Sequence, residues 1–346
     1  MKAALIGVGM VADMHLAALS ASASVDLCGV LGRRAATTEG YAQKAATVLG
    51  HPVKAYDGLG ELLKDANVDF AIIATPPYAR AEIIDQLAAG GVPMLVEKPV
   101  ERTFEAARIL VETAEKAQVP MGVVLQHRAR KASVSLRQVI SEDRLGRIVS
   151  AEIRIPWWRE QSYYDSPGRG TYSRDGGGVM ITQGIHALDL ALWLLGPIDF
   201  VQALMCTTPL HKMEAEDWAG AVFKTTAGVA GTITATTAAY PGEAESITLY
   251  GSKNSACLSA GQLTVGGRVE STIPDGAANS SGGGADPMAF THEWHQRIIE
   301  DFADCISNGN APIASGRSAL VAQAVIDAMT RSNATGQRIK VPASCL

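Results

Sequence analysis

The chain has 346 residues, more than a single hydrophobic core usually organises, so two domains are expected. Hydrophobic residues make up 47% of the chain and charged residues 19%, a balance typical of globular proteins. The net charge of -5 gives no general attraction to nucleic acid or to an anionic membrane, and no apolar run approaches the ~18 residues of a membrane span, so neither partner is expected.

The start of the chain and its cysteines indicate a cytoplasmic protein. The apolar run within Met1–Gly7 is shorter than the core of a signal peptide and stops at a glycine turn. The five cysteines are scattered, odd in number and form no C-x-x-C pair. A disulfide framework and a cysteine zinc site are therefore not expected.

Short apolar runs alternate with helical patterns through the first 121 residues. The predicted strands are Lys2–Gly7, Leu27–Gly32, Val53–Tyr56, Phe70–Ala74, Pro93–Val96 and Met121–Leu125. The predicted helices are Val11–Ser20, Thr37–Leu49, Gly58–Asp65, Ala79–Ala89 and Thr103–Gln118. This alternation predicts a doubly wound parallel sheet, a Rossmann-type α/β domain over residues 1–121.

The pattern changes after residue 122, and residues 122–346 are predicted to form a second domain of α+β type. Its predicted strands, rich in Val, Ile and Thr, are Ile148–Ile155, Phe200–Met205, Ala219–Thr225, Gly231–Thr237, Ser246–Tyr250 and Gln262–Val265. Turn residues between them favour an antiparallel sheet. The predicted helices are Val134–Glu142, Val179–Leu195, His292–Ser307 and Ala319–Thr335. Ile273–Pro287, rich in Gly, Ser and Asn, is predicted to be a surface loop.

A glycine-rich turn follows the first predicted strand and opens a helix. Gly7 permits the tight turn, Gly9 lets the backbone approach a diphosphate, and Ala12 is small enough for close packing of the strand and the helix. Met10 and Val11 complete the loop, and the helix N-terminus offers N–H groups and partial positive charge to an anion. These residues predict a dinucleotide site; the alternative is a glycine turn with no ligand.

The end of the second strand bears on which dinucleotide binds. An NAD site usually has an Asp or Glu there to accept from the ribose 2′-hydroxyl. This chain has Arg33 and Arg34 instead, whereas Asp26 lies at the wrong end of the strand and Glu39 lies inside the next helix. The cofactor is therefore expected to be NAD(P), with NADP favoured. The alternative is that Arg33 stacks on adenine while Arg34 is solvated.

Two further segments end parallel strands, where a doubly wound sheet binds its ligand. One contains Thr75 and Pro76, and the other contains Glu97 and Lys98; all four are predicted to contact the cofactor. Glu97-Lys98-Pro99, at this distance after the glycine loop, resembles the glucose–fructose oxidoreductase / inositol dehydrogenase (Gfo/Idh/MocA) family. The similarity continues through Gly176–Asp189, reaches Tyr250–Lys253 and the closing helices, and covers essentially the whole chain.

The resemblance implies a fold, an activity and an assembly. The fold is a Rossmann domain followed by a domain with an open, mostly antiparallel sheet, with a substrate cleft between them. The activity is oxidation or reduction of a sugar or cyclitol alcohol, so the expected partner is a small polyhydroxylated substrate. The resemblance also suggests a homodimer or homotetramer formed through the face of the open sheet, with the alternating Thr and Ala of Gly231–Ala239 on one side of the contact.

Lys98 and His186 match the catalytic lysine and histidine of that family. Removing a hydride from an alcohol carbon requires a base for the hydroxyl proton, and His186 is the predicted acceptor, with Lys98 binding and polarising the oxygen. Thr182 is the third predicted catalytic residue; it stands where many members have Asp or Asn, and it supplies a hydrogen bond but no charge. Asp189 is expected to hold the helix or to orient His186, and Arg80 stands where members often have His.

Thr182, His186 and Asp189 have the spacing of one face of an α-helix. The alternative for His186 is a hydrogen-bonded structural histidine, and for Lys98 a solvated lysine. Aromatic faces and forked donors suit a polyhydroxylated ring. The predicted substrate residues, with Thr182 and His186, are Gln126, Trp158, Arg159, Tyr163, Tyr164, Arg169 and Gln183. For the aromatic residues the alternative is packing against the sheet.

No metal site is predicted. His292 and His295 have helical spacing, but two histidines without further matched ligands are weak grounds for a metal, and surface histidines at a helix start are expected instead. Two other functions remain open beside a dehydrogenase. One is a glycosidase with tightly held NAD that breaks glycosidic bonds by transient oxidation, and the other is a non-catalytic, sugar-responsive regulator on the same fold.

Overall fold

The computed structural model describes residues 1–271 and 291–342. Its helices are α1 Ala12–Ala21, α2 Ala35–Leu49, α3 Leu59–Leu62, α4 Ala81–Ala89, α5 Phe104–Lys116, α6 Lys131–Ser141, α7 Gln161–Tyr164, α8 Ile185–Leu195, α9 Glu293–Asn308 and α10 Gly316–Thr335. Within the described ranges no helix combines the length and apolar character needed to cross a membrane. The segment Ile273–Pro287, predicted to be a surface loop, lies outside the described residues, so that assignment stays a prediction.

The first sheet has six strands, β1 Lys2–Ile6, β2 Asp26–Leu31, β3 Lys54–Ala55, β4 Phe70–Ile73, β5 Met94–Glu97 and β6 Met121–Val124. They are all parallel and lie in the order β3-β2-β1-β4-β5-β6. Every residue of β4 and β5 is buried, as expected for central strands covered on both faces. The predicted doubly wound parallel sheet is confirmed, with strand and helix bounds within three residues of those predicted.

The second sheet has nine strands, β7 Ile148–Pro156, β8 Ile198–Cys206, β9 Trp218–Thr225, β10 Ala230–Thr236, β11 Ser246–Gly251, β12 Ser255–Ser259, β13 Gln262–Val265, β14 Arg268–Ser271 and β15 Ile339–Lys340. Their order is β14-β13-β12-β11-β7-β10-β9-β8-β15. Only the pair of β7 and β10 is parallel among these neighbours, so the prediction of a mostly antiparallel sheet is confirmed. Burial alternates along β7 and β9, so one face of the sheet packs inward and the other is exposed.

The described chain forms two compact units, and the first combines segments that are far apart in the sequence. It comprises Met1–Glu101, Glu105–Gln126 and His292–Arg317, and the second comprises Arg102–Phe104, His127–Thr291 and Ser318–Leu346. The border predicted at residues 121 and 122 lies close to Gln126. The prediction, however, gave all residues after 121 to the second domain, whereas α9 lies in the first unit.

Packing of α9 explains its place. Its buried residues recur at helical spacing, from Trp294 to Cys305, so one face of the helix is apolar. On that face Phe302 packs edge-to-face against Phe70 of β4, with ring centroids 5.5 Å apart. Ser22, just after α1, donates a hydrogen bond of 2.7 Å to Glu300. The helix therefore covers one side of the parallel sheet, a long-range contact that no local pattern reveals.

Candidate active site

The glycine loop after β1 has the geometry of a dinucleotide cradle. Gly7 has a φ of +105°, and a Cβ there would lie 2.8 Å from main-chain atoms of Ala74 and Thr75, so only glycine fits. A Cβ at Gly9 would meet no other described residue within 4 Å apart from its chain neighbours, which leaves the backbone open to a ligand. Helix α1 begins beyond Val11 with no side-chain cap, and Met10 is exposed. These residues fit a diphosphate held at the helix N-terminus.

Arg33 and Arg34 are both exposed at the end of β2. Asp26 lies at the start of that strand, 2.7 Å from His51, and Glu39 is exposed within α2, so neither carboxylate lies directly at the end of β2. The end of the strand therefore presents positive charge, as the sequence predicts.

Polar groups gather at the carboxyl edge of the first sheet. Thr75 follows β4, Lys98 follows β5 and is half-buried, and Gln126 follows β6. Thr75 Oγ1 and Gln126 Oε1 are buried, and neither has a hydrogen-bond partner among the described residues. Because buried polar atoms are normally paired, these two fit a ligand that presents hydrogen-bonding groups, such as a nicotinamide ring with its carboxamide. Pro76, next to Thr75, is exposed.

Arg80 ties this edge together. It is buried, and its guanidinium donates to the carbonyl oxygen of Thr75, through Nε at 3.0 Å and Nη2 at 2.6 Å. The same group also donates to the carbonyl oxygens of Glu97 and Pro99, on either side of Lys98. Arg80 therefore fixes the main chain around Lys98. From the sequence alone, Arg80 stood out only because it replaces the histidine that family members often have, and its contacts around Lys98 were not predicted.

The side chain of Glu97 belongs to a buried cluster with His15 and His295. Its Oε1 lies 2.9 Å from Nε2 of His15 and 3.6 Å from Nε2 of His295, and the two rings meet edge-to-face at 5.2 Å. The three residues are 6%, 0% and 2% exposed. The expectation that His295 lies on the surface is wrong, because α9 turns it into the first unit. The sequence gives one sign of this buried cluster, because His15 is a polar residue among the apolar residues of α1.

In the second unit, the segment before α8 differs from the continuous helix predicted over Val179–Leu195. Met180–Gly184 form a π-helical turn, and the α-helix begins at Ile185. A π turn closes from residue i to i+5, so the α-helical spacing assumed for Thr182 and His186 does not apply between them. The hydroxyl of Thr182 donates to the carbonyl oxygen of Gly178 at 2.6 Å and also contacts Gln183.

His186 is buried at the start of α8, and its ring lies 4.8 Å from that of His127. His127 in turn lies 3.3 Å from Glu245, which also pairs with Arg130 at 2.7 Å. The sequence did not single out His127, because its contact with His186 joins residues that are far apart in the chain. It is therefore a further candidate residue beside His186 in the second unit.

Asp189 forms a buried, bidentate ion pair with Arg128. Its two carboxylate oxygens accept from Nε and Nη2 of Arg128 at 2.7 and 2.6 Å, and both residues are buried. Burial raises the pKa of Asp189, and Arg128 opposes that rise. The pair attaches α8 to the segment after β6, which agrees with the expectation that Asp189 holds the helix.

The predicted substrate residues of the second unit lie in one connected group. The amide of Gln183 donates to the hydroxyl of Tyr163 at 3.3 Å, and the guanidinium groups of Arg169 and Arg159 lie 5.0 and 5.8 Å from the Tyr163 ring. Tyr163, Arg169 and Trp158 are half-buried. Tyr164 differs: it is buried, its hydroxyl shares a hydrogen bond of 2.6 Å with Thr237, and burial raises its pKa. For Tyr164 the structure therefore favours the alternative interpretation, in which the aromatic ring packs against the sheet and does not face a substrate.

Comparisons with known proteins match both parts of the chain. Residues 1–125 match the model of an oxidoreductase family with an NAD-binding Rossmann fold, and residues 134–257 match a GFO/IDH/MocA C-terminal domain. The rhizopine catabolism protein MocA of Rhizobium meliloti is 29% identical over 206 residues, 59% of this chain and 61% of that protein. This chain thus matches less than two thirds of the length of that relative.

Two longer matches cover nearly the whole chain. Inositol 2-dehydrogenase of Rhizobium meliloti (strain 1021) is 24% identical over 341 residues, 97% of this chain and 98% of that protein. The crystal structure of the WlbA dehydrogenase from Bordetella pertussis, in complex with NADH and UDP-GlcNAcA, has a TM-score of 0.82 and 26% identity. It covers 99% of this chain and 98% of the other.

Proposed function

The chain belongs to the GFO/IDH/MocA family of NAD-binding oxidoreductases, and from this premise we propose that it transfers a hydride between a nicotinamide cofactor and an alcohol carbon of a sugar, sugar derivative or cyclitol. One observation carries the proposal. Lys98 and two buried polar atoms without partners among the described residues, Thr75 Oγ1 and Gln126 Oε1, lie at the carboxyl edge of the sheet whose first strand ends in the phosphate loop.

We assign the proton chemistry to Lys98 and His186. His186 accepts the hydroxyl proton, and Lys98 binds and polarises the reacting oxygen. Thr182 supplies a hydrogen bond that orients neighbouring groups and carries no charge, since its hydroxyl already donates to the carbonyl oxygen of Gly178. The contact with His127 supports the ring of His186. When bound, the nicotinamide supplies the acceptor or donor of the hydride.

The group around Tyr163 supports a polyhydroxylated substrate. Arg159, Arg169, Gln183 and Trp158 bring forked donors, an amide and an aromatic face to it. An inositol and a nucleotide-linked sugar acid are named for the relatives described above, which favours the same chemical class here.

NADP is the proposed preference, because Arg33 and Arg34 follow β2 where an NAD site carries a carboxylate. Replacing both by alanine is expected to raise the Kd for NADP+ by about 10- to 100-fold, from one or two lost phosphate contacts, and to leave the Kd for NAD+ nearly unchanged. NAD+ thus serves as the internal control in a fluorescence titration. Equal weakening of both cofactors contradicts the preference.

A second copy of the chain is the proposed protein partner, docked on the exposed face of the nine-stranded sheet. Leu204 of β8 and Val222 of β9 are 62% and 53% exposed, and Thr232 and Thr234 of β10 share that outward pattern. A homodimer or homotetramer is expected, and Val222→Glu is expected to lower its mass in light scattering. A monomeric wild-type protein contradicts this part. The cytoplasmic location stays a prediction.

The proposed function is tested with a panel of sugars, sugar acids and inositols against NAD+ and NADP+, read at the absorbance of the reduced nicotinamide. Lys98→Met and His186→Asn are each expected to lower kcat by about 100-fold or more. Both variants should retain the cofactor-induced rise in Tm. If neither cofactor raises the Tm at millimolar concentration, the proposal fails. Release of sugar from an aryl glycoside without net redox change would favour the NAD-holding glycosidase instead.

A further inference from the structure

The cluster of His15, Glu97 and His295 joins three elements that are distant in the sequence. His15 lies on α1, Glu97 ends β5 and His295 lies on α9. Burying a carboxylate and two imidazoles is costly unless their polar atoms are paired. Because Glu97 is the residue directly before Lys98, the pairing of its carboxylate bears on the position and charge of that lysine.

The contacts favour a hydrogen-bonded cluster over a metal centre. The ligand atoms lie within 4.8 Å of one another, and two histidines with one carboxylate are donors that zinc accepts. However, a metal-bound imidazole almost always donates through its other nitrogen. Nδ1 of His15 is buried and has no hydrogen-bond partner in the described part of the chain. His15 is thus best placed as a donor from Nε2 to Oε1 of Glu97, and Nε2 of His295 faces the same oxygen at 3.6 Å.

The carboxylate in turn contacts Lys98. Oε2 of Glu97 accepts the main-chain N–H of Lys98 at 3.1 Å, while Oε1 faces the histidines. Burial alone would raise the pKa of Glu97, but the hydrogen bond with His15 at 2.9 Å and the nearby imidazole of His295 hold that pKa well below its usual range. The carboxylate is therefore ionised at neutral pH.

The charged groups around Glu97 come from every element packed against it. His15 and His295 face it from α1 and α9, Arg80 from before α4, and Lys98 from the next position in the chain. Burial lowers the pKa of His295, and the positive charge of Lys98 adds to that lowering, so this histidine is neutral at pH 7 and lies within the field of the lysine. Arg80 also faces the carboxylate of Glu101.

We propose that His15 and His295 are positioning residues for Lys98. His15 donates to Oε1 of Glu97 and His295 faces the same oxygen at 3.6 Å, and together they keep an ionised carboxylate beside the lysine. That carboxylate fixes the lysine main chain through Oε2 and, as a negative charge on the preceding residue, is expected to favour the ammonium form of the side chain. The role of Lys98 in a reaction rests on the proposed function, but its protonation does not.

The direct test titrates Lys98 itself. The protein is reductively methylated with ¹³C-formaldehyde, and the Lys98 signal is assigned by its absence in Lys98→Arg. Glu97→Gln is expected to lower the pKa of Lys98 by about one unit or more, because the buried negative charge is lost. His295→Phe is expected to lower it by a smaller amount, because the carboxylate keeps its charge but is less firmly held beside the lysine. His295→Gln keeps an N–H donor and is expected to restore most of the shift. His292→Gln, three residues earlier and outside the cluster, is the matched control.

Several results would overturn the proposal. One is an unchanged Lys98 titration in His295→Phe and Glu97→Gln; if Glu97→Gln does not fold, the two His295 variants decide alone. A second is loss of thermal stability with no change in the titration, which indicates a merely structural cluster. A third is co-purification of a metal whose removal by EDTA moves the Lys98 signal. Because the titration needs neither cofactor nor substrate, failure of the proposed function leaves it interpretable.

Discussion

Glu216 is expected to hold the turn that leads to His186. Its side chain is buried, and its carboxylate accepts the main-chain N–H groups of Gly178 and Met180 at 3.0 and 3.1 Å. Its own carbonyl oxygen accepts the N–H of Val179 at 2.8 Å. A Cβ on Gly178 would lie 1.7 Å from that oxygen, so the two segments touch along their backbones. The carboxylate thus acts as a cap for the π turn and for α8.

Glu216→Ala removes two hydrogen bonds to a charged acceptor and leaves both donors buried. At about 1.5 kcal/mol each, the free energy of unfolding is expected to fall by about 3 kcal/mol. For a unit of this size, that corresponds to a drop in Tm of roughly 6–12 °C. Burial raises the pKa of Glu216, so the charge itself is held at a cost. Glu216→Gln keeps an acceptor oxygen without that charge and is expected to lose less.

The assay compares thermal unfolding and kcat of Glu216→Ala with those of Glu214→Gln, an exposed glutamate two residues earlier. We expect kcat to fall with the first variant even well below its Tm, because the turn positions His186. The reasoning is refuted if Glu216→Ala unfolds within about 2 °C of the control and keeps its kcat.

Three further outcomes follow from the first unit. Gly7→Ala is expected to weaken cofactor binding by about 100-fold, because its φ of +105° and the contact with Ala74 exclude a side chain, whereas Gly40→Ala, in open space on α2, should bind normally in the same titration. Arg80→Lys is expected to lower the free energy of unfolding by about 2 kcal/mol and to lower kcat, since an ammonium cannot reproduce the guanidinium fork; unchanged urea unfolding contradicts this. The lowered pKa of His295 means that the unfolded chain binds its proton first, so stability should fall as the pH drops below about 6.5, and less steeply in His295→Gln; parallel pH dependence of urea unfolding in both proteins contradicts the assignment.

The sequence predicts the first sheet well because its signals are local. Continuous apolar runs such as Phe70–Ile73 have one interpretation when turns and helical patterns flank them. The phosphate loop is also local, since Gly7 and Gly9 lie between a strand and a helix. The Gly7 contact with the end of β4 shows why the pattern needs glycine.

The missed features depend on contacts between distant residues or on weak local patterns. Strand β12 consists of Ser, Ala, Cys and Leu, without the β-branched residues that mark a strand, and forms because β11 and β13 pair with it on both sides. The burial of His295 depends on which element α9 covers, and nothing near position 295 specifies β5 as its neighbour. The π turn before α8 likewise depends on Glu216, more than thirty residues later.

The place of α9 has a consequence for how the chain is made. Synthesis proceeds from the N-terminus, so β1 to β6 leave the ribosome long before residues 293–308 do. Until then, Phe70 lacks its partner Phe302, and His15 and Glu97 lack the third member of their cluster. A nascent chain that ends before α9 therefore exposes apolar surface to chaperones and proteases. The first unit completes its fold only after its last segment, His292–Arg317, has been synthesised.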